Sequence, residues 1–204
     1  MKTFIKVLTY VVFPIAIIIL VYLNYESIME PVRFDNEVER REAVAIDRLV
    51  SIRTLQEAYK TENRRFLSST DSLIDFYKNG QITIIRQIGS MDDSVAVAEG
   101  RVSRDSIRIF VRDTLLKGKG SLIDSISFIP YSGGKRIHME SVIRKVSGIE
   151  IPLFEATIPY DDLLNGLDRQ LVVNLKAEKE DMKQYTGLKV GDIENPNNNA
   201  GNWE

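Results

Sequence analysis

The chain has 204 residues, 27 of them basic and 29 acidic, a formal net charge of −2, one histidine and no cysteine. Such a length buries a real core, and 44% apolar with 27% charged residues excludes wholesale disorder and a multi-span transporter. The near-neutral balance lacks the basic footprint of a nucleic-acid binder, and the missing thiols and lone His138 remove disulfides, thiolate nucleophiles, most zinc sites and His-dependent triads.

Residues 7–23 (VLTYVVFPIAIIILVYL) form an uncharged apolar run that as a helix extends about 25 Å, enough to cross a bilayer. Val7, Pro14, Ile18 and Leu23 mark this predicted anchor, with Pro14 placed to kink it without breaking it. Tyr10, Tyr22 and Tyr25 suit the interface. A cleavable signal peptide is the competing reading. No A-x-A-like site follows the run, so a retained signal anchor is expected. Lys2 and Lys6 precede it and Glu26 and Glu30 follow it. The positive-inside rule therefore predicts a cytoplasmic N-terminus with residues from about Asn24 onward on the outer side, which on a bacterial inner membrane is the periplasm. The predicted division is 1–24 cytoplasmic end and anchor, 25–35 juxtamembrane linker, 36–190 α+β domain and 191–204 polar tail.

Pro31 is expected to end the linker, with Asp35 or Asn36 capping a new helix that runs to about Asn63. Ala45, Leu49, Ile52, Gln56 and Tyr59 recur at steps of four and three and mark its inward stripe. Arg40, Asp47, Ser51, Thr54 and Glu62 fall opposite. Val44 and Leu55 lie off the stripe, where they either widen the core contact or meet another chain.

Ser68 to Asp71 reads as a capping cluster that opens a short helix through Leu73, Ile74, Phe76 and Tyr77 and stops near Gly80. Strands are predicted at 82–88, 107–111 and 125–129, with a loop holding Met91, Asp92 and Asp93 between the first two. Residues 137–146 and 149–158 flank Ser147-Gly148 and predict a hairpin, in which Pro152 should face an edge or bulge. Asp168 caps a third helix carrying Leu171, Val172 and Leu175, and 188–190 returns as a last short strand.

Little chemistry survives inspection. His138 has Glu140 on the same strand face, but two residues do not complete a metal or acid–base site. The acidic groups Asp92-Asp93, Asp161-Asp162 and Asp192/Glu194/Asn195 lack the calcium-loop pattern, and 192–199 reads as a flexible loop. Ser132-Gly133-Gly134-Lys135 precedes a strand and reads as a turn, not a phosphate cradle. No catalytic residue, cofactor or metal site is predicted. Trp203 either tucks back to pin the C-terminus or stays exposed as a partner contact.

Ile52-Arg53-Thr54-Leu55-Gln56-Glu57-Ala58-Tyr59, followed by Asn63, Phe66 and Ser72-Leu73, resembles the region of type IV pilins and pseudopilins where the long helix leaves its hydrophobic half. The resemblance covers about a third of the chain and implies an N-terminal helix packed on a mostly antiparallel sheet. The chain departs from that pattern by having no glycine before Val7 and no acidic residue until Glu26, which implies that a pilin-like protein here keeps its basic end. As a whole, with Pro31–Asp35, Gly187–Gly191 and the terminal Asn197–Glu204, the chain also resembles an uncharacterised family of single-pass envelope proteins of Bacteroidota-type bacteria. The expectation is a non-catalytic, pseudopilin-like or assembly-platform-like component scaffolding a secretion or surface-structure machine. Its partners would be the bilayer through 7–23 and other envelope proteins or itself, with Val44, Leu55 and Trp203 as candidate contacts. A membrane-tethered binding module for a small ligand, glycan or ion is the alternative, and it requires a concave apolar pocket.

Overall fold

The computed structural model describes residues 8–88, 103–146 and 148–204, so Lys2, Lys6, Val7, the Met91-Asp92-Asp93 loop and Ser147 lie outside the described residues. One helix dominates. α1, Phe13–Asn63, runs 51 residues, about 76 Å at roughly 1.5 Å per residue. A π-helical turn, Leu8–Val12, precedes it. Pro14 therefore sits at the start of the α-helix, next to a wider turn that accommodates its ring, and not in the middle of a regular span.

The expected break at Pro31 does not occur. α1 passes through it, giving up the one hydrogen bond that the missing N–H would have made to the Ser27 carbonyl. Both residues face solvent, where water replaces the lost donor. Asn36 does not cap a new helix either, because its side-chain amide donates to the Val32 carbonyl at 2.8 Å within the continuing one. The 25–35 stretch is thus helical. α1 ends as expected at Asn63, followed by Arg64 in the left-handed region with its N–H on the Lys60 carbonyl.

Only the C-terminal half of α1 is packed. Phe34, Val38, Ala45, Leu49, Ile52, Leu55 and Gln56 are buried, with Tyr59 half-buried edge-on to Phe76 at 5.0 Å. Ser51, expected on the outer face, is also buried, its hydroxyl satisfied by the Asp47 carbonyl at 2.8 Å. Gln56 bridges onward, donating to the Leu67 carbonyl and accepting from the Leu67 N–H, which fixes the chain as it leaves α1.

α2, Thr70–Asn79, is capped by the Ser69 hydroxyl, which accepts from the Asp71 N–H, and buries Leu73 and Tyr77. β1, Gln81–Ile88, and β2, Ser103–Phe110, form a separate antiparallel pair in which Ile82 faces Ile109 and Ile84 faces Ile107. A single turn, α3 (Val111–Thr114), follows.

The strand expected at 125–129 is instead a 3₁₀ turn, Gly120–Ser125, and a loop touching the sheet only through one bridge, Phe128 to Arg136. The pairing there is limited to the Ile137 N–H on the Ser127 carbonyl and the Ile129 N–H on the Lys135 carbonyl, while the Arg48 guanidinium of α1 takes the carbonyls of Ser125 and Phe128. The second sheet has the order β3-β4-β5. The predicted hairpin is β3, His138–Val146, against β4, Ile149–Pro159. β5, Gly187–Gly191, pairs only with Glu155–Pro159, which leaves an open edge where Pro152 lacks its donor. Between β4 and β5 lie α4, Tyr160–Leu163, and α5, Arg169–Asp181, the latter capped by Asp168 as expected. Phe154, Ala156, Ile158, Leu188 and Val190 complete a core shared with α1, and Phe66 stacks tilted on Phe154 at 4.7 Å.

Candidate functional site

Two features of this α+β architecture are candidates for function: the bare N-terminal half of α1 and the C-terminal segment laid against β5. α1 is the one helix among the described residues long and apolar enough to cross a membrane, and none of its most apolar window is buried. Pro14, Ile18 and Leu23 all face outward on it, while Val7 lies outside the described residues. The apolar surface does not stop at Leu23. Tyr25, Ile28 and Val32 remain 54%, 67% and 45% exposed along the helix as it approaches the domain.

The two residues of α1 expected to reach outward diverge. Leu55 is fully buried and part of the core, so it offers nothing to a partner. It sits one residue before the equally buried Gln56, and the packing face is broader than the predicted stripe. Val44 is 36% exposed and open to solvent.

Trp203 tucks back. Its indole lies half-buried over Gly201, where a Cβ would overlap the ring, and packs against the core. The segment before it is not a flexible loop. Asp192 accepts the N–H groups of Glu194 and Asn195 at 2.7 and 2.8 Å, closing a turn. Asn198 and Asn199 take up positive φ, a region Asn tolerates. The Gly191 N–H then bonds Ala200, Val190 bridges Gly201, and Asn202 clamps β5. Asn202 donates its backbone N–H to Lys189 and its side-chain amide to Gly187, and accepts the Lys189 N–H, each at 2.9 Å. Glu204 finally pairs with Arg53 of α1.

Lys189 sits between Glu155 at 3.2 Å and Asp192 at 3.0 Å. Partial burial works against the Asp192 carboxylate, but the two backbone donors and Lys189 outweigh it and hold the group below the usual aspartate value. Elsewhere Glu37 is pulled down to about 2 by hydrogen bonds from Arg40 and Arg41, and Arg41 also donates to the carbonyls of Leu163 and Asn165. The Tyr160 phenol is pushed upward by burial and by its hydrogen bond to Glu42. These contacts tie α1 to α4. Arg53, Lys189 and Asn202 lie in segments that carry the resemblances, but their contacts had no sequence signal, because each reaches a group that only the fold brings near.

His138 is exposed, with Glu140 at 3.9 Å. Among the described residues no group of three His, Cys, Asp or Glu could hold a metal ion. Ser132-Gly133-Gly134-Lys135 is a turn closed by the Ser132 hydroxyl, which accepts the Lys135 N–H and donates to Ile129. The larger depressions are open ones. One, about 500 Å³, is lined by the polar residues Glu57, Lys60, Thr61, Asn198 and Asn199, and another, about 360 Å³, mixes Phe66, Leu67, Val142, Ile143 and Pro152 with Arg65, Ser68 and Ser141. No family model, curated protein or solved structure matches the chain.

Proposed function

We propose that this chain is a non-catalytic, membrane-anchored component of a bacterial envelope, pseudopilin-like or assembly-platform-like in form, that scaffolds a secretion or surface-structure machine. Its N-terminus would lie in the cytoplasm and its domain in the periplasm. One observation carries the reading: the apolar segment and the central core helix are a single continuous helix, Phe13–Asn63. A tethered binding module needs only a flexible leash. A helix that enters the core without a break instead fixes the height and orientation of the domain above the bilayer, which is what a structural part of a machine requires. From Leu23 to Asn63 it rises about 60 Å at roughly 1.5 Å per residue.

In-cell crosslinking at native expression, mild-detergent purification and mass spectrometry test the reading. Reproducible envelope proteins captured with the chain are expected. Recovery of the chain with no other envelope protein, together with unchanged secretion and surface display on deletion, would overturn it.

A further inference from the structure

We propose that Tyr25, Ile28 and Val32 form a seam on which a second copy of this chain docks in parallel, stalk against stalk. The inference rests on the membrane-anchored reading above and adds to it a surface and an occupant. Ile18, Val21, Tyr25, Ile28 and Val32 follow one another at steps of three and four, the spacing of a coiled-coil seam, and all five face outward. At roughly 100° per residue this stripe lies roughly 130° around α1 from Phe34, Val38, Ala45, Leu49 and Ile52, which hold the chain's own domain. The domain therefore leaves this face open.

Charge selects the occupant. In a parallel pair of identical helices, like residues come to the same level, so a charge beside the seam would meet its own sign. The positions flanking it, Asn24, Met29, Pro31 and Asn36, are uncharged. The charged residues of this stretch lie on the other side of the helix, where Glu26 and Arg33 pair with each other at 2.7 Å. The next two seam positions are Asp35 and Glu39, whose carboxylates would repel their copies and end the contact one turn beyond Val32. A seam with neutral flanks is compatible with itself, whereas a soluble partner of opposite charge finds nothing here to read.

Size selects the setting. Two and a half turns above Leu23 fall far short of the ~1,200 Å² that a stable interface between soluble partners buries. Two copies in one bilayer are already parallel and concentrated, and Ile18 and Val21 continue the contact below the surface.

The chain has no cysteine, so single-cysteine variants of the full-length protein in native membranes give a clean test. Tyr25→Cys, Ile28→Cys and Val32→Cys are compared with Ser27→Cys and Glu30→Cys after copper–phenanthroline oxidation on a non-reducing gel. Bands at twice the chain mass are expected for the first three, at least about tenfold stronger than for the last two, since cysteines whose Cα atoms stand more than about 7 Å apart are not bridged. Adding Ile28→Glu to Val32→Cys should abolish its band while Trp203 emission stays unchanged. Equal bands at all five positions, or none at the seam, would overturn the proposal. Seam bands of another mass would also overturn it, since they place a different protein there, yet they would leave the scaffold reading standing. Failure to capture other envelope proteins would sink the scaffold reading without touching the seam.

Discussion

Asn202 joins the C-terminal segment to β5 through three hydrogen bonds, two of them made by its side chain. Asn202→Ala should release the neighbouring Trp203. The expected readout is a red shift of the emission of the chain's only tryptophan, with a stability loss of about 1–3 kcal/mol in urea melts. Gly191 has φ 74°, and a Cβ there would overlap the Phe154 carbonyl oxygen. Gly191→Ala should therefore weaken the β4–β5 pairing, and hydrogen exchange of the Val190 and Gly191 amides would report it. In the core, Leu49 and Ile52 are fully buried. Truncating either to alanine should cost about 2–5 kcal/mol, measured by the urea midpoint of the full chain in detergent.

At the scale of elements, the docking of the C-terminal segment on β5 is tied to one titration. Asp192 is held below its ordinary value in the folded chain. The stabilisation it contributes is fully present above the unfolded aspartate pKa and is lost as pH falls through the lower folded value. Acid titration below about pH 4 should thus loosen the turn at Asp192, and Trp203 emission should shift before the far-ultraviolet dichroism of α1 changes. Coincident transitions of the two signals would contradict this order. The replaced strand at 125–129 shows the same scale at work from the other side. Arg48 takes two carbonyls of that segment and ties it to α1, 77 and 80 residues away along the chain.

At the scale of the whole molecule, α1 is both the candidate span and the spine of the domain, so one continuous helix carries the apolar segment into the core. If the N-terminus is cytoplasmic, Lys145 near the exposed end of the β3–β4 hairpin faces the periplasm. A Lys145→Cys variant should then react with a membrane-impermeant thiol reagent in intact spheroplasts. Labelling only after lysis would reverse the orientation.

Much of this was legible in the chain. The periodicity of Ala45, Leu49, Ile52 and Gln56, the Ser69 and Asp168 caps, the hairpin about Gly148 and the apolar run are local patterns, and backbone sterics and burial make them speak for themselves. Three other matters were decided only by tertiary structure. α1 crosses Pro31 because the face carrying Phe34 and Val38 is packed while Pro31 itself faces water, so the loss of a single hydrogen bond does not end the helix. Leu55 is core because the rest of the fold covers a wider arc of α1 than one stripe. The asparagine-rich C-terminus is ordered because β5 offers it an open edge to bond. In each case the deciding partner lies far along the chain, and sequence periodicity reports which residues need burial, not which distant group will cover them.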